Sequence, residues 1–192
     1  MPKISDERRA ARRMQILEAA WRCFQDKGLH AATMDDIIRA SGLSAGAVYS
    51  YFRSKDALIL AAVTTSLSGL RDLVAPILSA EPPLPPTALL GRIAAAIDGF
   101  TAREGYDLRR IALLGWSEAQ RNPTLRLAMQ GFYAAFRDRL AEALRRPGAG
   151  DGRDAAAALL ALILGYVVQA AIMGDVDPDA MASGLAGLAA VG

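Results

Sequence analysis

Apolar residues along this chain recur at three- and four-residue steps, and no stretch alternates apolar with polar positions. The pattern predicts helices from one end to the other and no strand. From about Asp6 to Lys27, Met14, Leu17, Ala20, Trp21 and Phe24 line one helical face while arginines occupy the opposite one, and Gly28 ends the run. Thr33 and Asp36 form a capping-box-like pair at the start of a second helix, whose Met34, Ile37 and Ile38 face inward before it stops near Ala40 or Ser41. Gly42 supplies a tight turn, because glycine takes positive φ without a Cβ penalty. Ser44 then caps a third helix running to Phe52. Nine residues make roughly 13 Å of helix, too short to stand alone, so Val48 and Phe52 must hold it by packing. These helices make a three-helix head with an expected core of Leu17, Trp21, Phe24, Ile37, Ile38, Leu43, Val48 and Phe52.

Ser54 caps the next helix, which runs to about Ala75 with Pro76 as its breaker. At 22 residues it spans roughly 33 Å, a lever reaching from the head into a second domain. Glu81-Pro82-Pro83-Leu84-Pro85-Pro86 reads as a stiff connector. Further helices are expected from Thr87 to Arg103, closed by Glu104 and Gly105, from Tyr106 to Arg121, and from Thr124 to Arg146, followed by a flexible turn over 147–152. Ala155 to Met173 carries only Gln169 as a strongly polar residue over 19 positions, the length of a membrane span. It is alanine-rich, however, and lacks a basic flank or an aromatic belt. The favoured reading is a helix buried against a partner surface, with a membrane-associated or protein-binding helical module as the alternative. Asp177 to Val191, with Met181, Leu185 and Leu188 apolar, is the last helix. The expectation is an all-α chain of about nine helices: residues 1–53 a helix-turn-helix head with a basic arm, residues 54–192 a larger helical domain.

Composition narrows the class. A chain of 192 residues that is 53% apolar can bury a substantial core. The net charge of +2 is unevenly spread: residues 1–60 hold ten Lys/Arg against seven Asp/Glu, the remainder twelve against thirteen. Lys3, Arg8, Arg9, Arg12 and Arg13 concentrate the excess in an N-terminal arm, which is either a solvated tail or a reach toward phosphates or a minor groove. Cys23 is the only cysteine and falls within a helical pattern, so it reads as a small core residue in a reducing, cytoplasmic setting. His30 is the only histidine and is placed in a loop. One histidine, one cysteine and scattered carboxylates supply neither a nucleophile–base pair nor a metal cluster, so an enzyme is not expected, nor a cofactor or metal. The N-terminus lacks the apolar core of a signal peptide.

The short third helix carries the chemistry. Ala45, Gly46 and Ala47 are small enough to let its backbone approach base edges, while the hydroxyls of Tyr49 and Ser50 can reach phosphate oxygens. Lys55 adds a cation beside the Ser54 cap. The run Gly42, Leu43, Ser44, Gly46, Val48, Tyr49, Tyr51, Phe52, Ser54, Lys55, Asp56 and Leu58 closely resembles the DNA-binding signature of the TetR family of bacterial transcription regulators. Residues 116–123 also resemble the junction between the sixth and seventh helices of that family. The resemblance implies that Thr33 touches a phosphate. It further implies a homodimer formed by the two C-terminal helices, a palindromic double-stranded DNA operator, and an apolar cavity for a small-molecule effector. Candidate DNA contacts are therefore Thr33, Ser44, Ala45, Gly46, Ala47, Tyr49, Ser50 and Lys55. Candidates for the cavity are Phe100, Trp116, Met129, Tyr133 and Gln169, with Asp98 and Glu118 as further polar groups, against the plainer reading that the aromatics are ordinary core. The function expected is a ligand-responsive repressor; activation, or regulation without an effector, is the alternative within the same fold.

Overall fold

The computed structural model describes residues 6–104, 106–145 and 151–190. Lys3 of the expected arm, Gly105, Arg146, most of the 147–152 turn and Val191 lie outside the described residues, as do the side chains of Leu185 and Leu188. Among those described there is no strand. The helices are α1 (Asp6–Ala31), α2 (Met34–Ser41), α3 (Ala45–Tyr51), α4 (Lys55–Leu78), α5 (Pro86–Glu104), α6 (Leu108–Ala119), α7 (Pro123–Leu144), α8 (Arg153–Met173) and α9 (Pro178–Ala190).

Local chemistry sets the boundaries. Thr33 and Asp36 complete a reciprocal capping box at α2, and Ser44, Ser54 and Asn122 each accept a backbone N–H from the first turn of α3, α4 and α7. Gly42 closes α2 in the left-handed region at φ 68°. Three expectations need correction. Gly28 breaks α1 at φ 80°, but one further turn follows to Ala31 and carries His30, which is therefore helical. Pro76 does not end α4, because so close to the terminus its missing N–H interrupts only the last turn, and Ser79 N–H still reaches Ala75 O at 3.1 Å. Met14 stays exposed, since the packing of α1 begins at Ile16.

Two large clusters and a small one form the interior. The first joins the head to later helices: Leu17, Trp21, Phe24, Ile37, Val48 and Phe52 pack with Leu58, Ile59 and Ala62 of α4 and with Phe100, Tyr106, Leu108 and Ile111. Trp21 is the junction. Its ring stacks on Tyr106 at 4.3 Å and its Nε1 donates to Ala62 O at 3.1 Å. The second cluster unites α5, α7 and α8, and the third, around Val63, Leu125 and Met129, joins α4 to α7. α4 and α8 are each long and apolar enough to cross a membrane by length and composition. Both nevertheless bury a face in the core, α4 through Leu58 to Val74 and α8 through Ala156, Leu159, Ile163, Tyr166, Val167 and Ala170. The rest of α8 is less covered, with Ala157, Ala158 and Ala161 exposed and Ile172 and Met173 largely so. α9 lies against α5.

Candidate nucleic-acid interface and buried cavity

α3 is held from beneath and open above. Val48 and Phe52 are buried, whereas Ser44, Ala45, Gly46, Tyr49 and Ser50 are exposed and Ala47 is half-exposed. Tyr49 is 44% exposed, which leaves its phenol open to an external partner. Arg13 lies over the Phe52 ring at 5.4 Å, which brings the basic face of α1 beside the C-terminal end of α3. The Gln15 amide donates to Ser41 O at 2.8 Å, fixing the turn between α2 and α3.

The hydroxyls are not equally available. Ser44 accepts from Ala47 N–H at 3.3 Å and keeps its own proton to donate. Ser50 already donates to Ala47 O at 2.6 Å, leaving it free chiefly as an acceptor, the role that suits an adenine or cytosine amino group. Thr33 donates to Asp36 Oδ2 at 2.8 Å and accepts from Asp36 N–H, so it must release Asp36 before it can donate to a phosphate. Lys27 and Thr33 together hold the Asp36 carboxyl well below the usual carboxylate range. Lys55 Nζ donates to His30 O at 2.6 Å and retains two further protons for a phosphate.

That lysine opens α4, and α4 leads inward. His30, at the end of α1, also approaches Glu118 Oε2 of α6 at 3.1 Å, and Arg121 approaches the same oxygen at 3.4 Å. Glu118 is buried, so this contact ties the head to α6 through a carboxyl group shielded from water.

Between α4, α5, α6, α7 and α8 lies an apolar cavity of about 40 Å³. Val63, Ser66 and Leu67 of α4 face Trp116, Met129 and Tyr133 across it. Trp116 Nε1 donates to the Tyr133 hydroxyl at 2.7 Å, and burial raises the Tyr133 pKa. Of the other cavity candidates, Phe100 is taken up by the head core, edge-on to Tyr106, and Gln169 is exposed on α8. Their helical phase is the reason: Phe100 is one turn beyond the lining residue Ile97, and Gln169 is on the side of α8 away from Ile163 and Val167. The charged residue in the lining is Arg109, which sequence reasoning missed. Its guanidinium donates to Asp107 at 3.0 Å and to Asp98 at 2.8 Å, and those bonds raise its pKa. The neighbouring Tyr166 hydroxyl is buried beside this pair without completing a hydrogen bond, and burial drives its pKa upward. Gly115, equally unremarked, lets α6 approach α4: a Cβ there would lie 3.2 Å from Val63 Cγ1.

Comparison with known proteins agrees with this layout. Residues 16–62 match the family described as bacterial regulatory proteins, tetR family, and residues 84–191 match the tetracyclin repressor-like C-terminal domain. The HTH-type transcriptional regulator BetI of Escherichia coli O17:K52:H18 is 30% identical over 177 residues, covering 91% of this chain and 88% of that protein. The HTH-type transcriptional repressor Rv1474c of Mycobacterium tuberculosis is 49% identical over 61 residues, 32% of this chain and 33% of that protein. A transcriptional regulator from Saccharomonospora viridis, solved in complex with choline, shares the fold with a TM-score of 0.74 at 24% identity, covering 92% of this chain and 94% of that one. A helix-turn-helix with an outward α3, a long α4 and a matching helical domain together establish that the chain belongs to the TetR family of DNA-binding, non-enzymatic transcriptional regulators.

Proposed function

We propose that this chain is a cytoplasmic, homodimeric repressor, released from a palindromic operator when a small apolar or amphipathic effector occupies the buried cavity. Residues 1–53 bind DNA; residues 54–192 dimerise, through α8 and α9, and hold the effector. One observation carries this reading: α4 contributes Leu58, Ile59 and Ala62 to the head core and, one turn on, Val63, Ser66 and Leu67 to the cavity wall. Whatever separates the cavity walls therefore moves the helix on which the head is seated.

The magnitudes agree. A cavity of about 40 Å³ is far below the roughly 300–1,000 Å³ of occupied ligand pockets. An effector must expand it, and an effector that binds only the expanded form weakens DNA binding by that same preference. The His30–Glu118 contact gives α6 a second hold on the head. In the dimer, two copies of α3 enter successive major grooves about 34 Å apart, so the operator shares the protein's two-fold symmetry. Tyr49, Lys55 and Thr33 clamp phosphates; Ser44 and Ser50 meet phosphates or base edges; Ala45, Gly46 and Ala47 bring the backbone close, with the alanines against thymine methyls. The uncovered alanine face of α8 supports its role in dimerisation.

The test is selection of a duplex from a random pool, followed by binding at several salt concentrations. A palindrome bound by a dimer, with scrambled duplex bound far more weakly, supports the proposal. Binding without sequence preference, or by a monomer, refutes it.

A further inference from the structure

The buried cavity and an open cleft on the outside of the molecule share a wall. Trp116, Met129 and Tyr133 line both. The cleft, about 390 Å³, runs along α7 between the end of α6 and Leu160 of α8. The shared wall is pinned by one hydrogen bond, from Trp116 Nε1 to the Tyr133 hydroxyl at 2.7 Å.

The two spaces differ in character. Arg126, Gln130 and Arg137 follow one another at helical spacing on α7 and all face the cleft, where no carboxylate joins them. Neither arginine is ion-paired among the described residues. Inside, the walls are apolar, and the guanidinium of Arg109 is already committed to Asp98 and Asp107. The passage is therefore positive at its mouth, while within it the one guanidinium is outnumbered by the two carboxylates that hold it.

We propose that this passage admits an amphipath bearing one negative charge. Its apolar tail passes between Trp116 and Tyr133 into the cavity, while its anionic head stays at the mouth between Arg126 and Arg137. The inference rests on the effector-cavity reading above and adds the route and the charge of the ligand. The two arginines are separated along α7 by roughly 16 Å, so their long side chains approach the centre of the cleft from opposite ends and their fields add there. A cation of the same shape is repelled at the mouth and finds no free carboxylate inside. A neutral one gains only the burial of its tail. Because the cavity, about 40 Å³, is far below the roughly 300–1,000 Å³ of occupied ligand pockets, a tail enters only by moving α6 and α7 away from α4.

The test uses the intact protein and three probes with the same tail: decanoate, 1-decanol and decyltrimethylammonium. The readout is the pair of indole N–H resonances in a proton–nitrogen spectrum, with Trp116 identified through Trp116→Phe. Decanoate is expected to move the Trp116 resonance saturably, at concentrations about tenfold below those needed for either other probe. The double variant Arg126→Gln, Arg137→Gln, altered only at exposed positions, should weaken decanoate about tenfold and leave decanol unchanged; added salt should do the same. Equal binding of the cationic probe, or an unchanged decanoate affinity in the double variant, overturns the charge assignment while leaving the cavity intact. If none of the probes moves the Trp116 resonance, the route and the effector-cavity reading fail together.

Discussion

Gly115 offers the sharpest way to imitate an effector without one. Its backbone lies so close to α4 that a methyl group would meet Val63 Cγ1 at 3.2 Å and Cγ2 at 3.6 Å, with Met129 Cε at 3.7 Å. Gly115→Ala therefore overpacks the α4–α6 contact, a cost of about 1–3 kcal/mol for methyl-sized intrusions into tight cores. Alanine also stiffens the helix, returning about 0.5–1 kcal/mol. The second effect acts equally in the DNA-bound and effector-bound forms; the first acts only where the two helices are close. Global stability should thus change by less than about 2 kcal/mol, and operator affinity should fall by up to roughly five- to thirtyfold, the limit for 1–2 kcal/mol of strain, reached as the strained close-packed form loses population to the expanded one. Val63→Ala removes the two methyls that the new Cβ meets. The double variant should recover most of the lost affinity, with a coupling of about 1 kcal/mol or more in a double-mutant cycle. The assay is fluorescence polarisation with the selected duplex, alongside urea denaturation of each variant. Strict additivity, or undiminished affinity in Gly115→Ala, would refute the argument that α4 transmits the state of the cavity.

Further expectations concern the head. Tyr49→Ala should weaken binding to every sequence and leave the melting temperature nearly unchanged, whereas Ala47→Ser should change which duplexes are preferred in a repeated selection. Gly42→Ala forces a Cβ into left-handed backbone at φ 68° with nothing nearby to clash, so its cost is the backbone term alone, about 1–2 kcal/mol by denaturation. Asp36, whose carboxyl is held below its ordinary 3.8 chiefly by Lys27, contributes stability above that value and loses it as pH falls into the acid range; Lys27→Met should therefore flatten the acid limb of the melting-temperature profile. Trp21→Phe deletes the hydrogen bond to Ala62 O and should cost at least about 1 kcal/mol, reported by denaturant midpoint.

The head was readable from sequence because its signals are local. Thr33 with Asp36, the Gly42 turn and the Ser44 and Ser54 caps each act within four residues, and all eight expected core residues fall in one packed cluster. The cavity was readable only in part, because its lining depends on helical phase and on which helices meet. Trp116, Met129 and Tyr133 line it, but Phe100 turns toward Trp21 and Tyr106, and Gln169 turns toward solvent. A sequence shows that such residues share a period; it does not show which neighbour each stripe meets. Arg109 was hidden for a related reason: its neutralising carboxylates, Asp98 and Asp107, come from the adjoining helix and from the cap of its own. Gly115 could have been noticed, since a glycine in the middle of an apolar helical pattern marks a close approach.

A hydroxyl-radical footprint on the selected palindrome, made with the intact chain and with Tyr49→Ala at one protein concentration, decides whether two outward copies of α3 read a symmetric site. Two protected patches about one helical turn apart, symmetric about the centre and markedly weakened by the substitution, are expected. A single patch, uniform protection, or a footprint undiminished by the loss of Tyr49 would contradict this placement of α3.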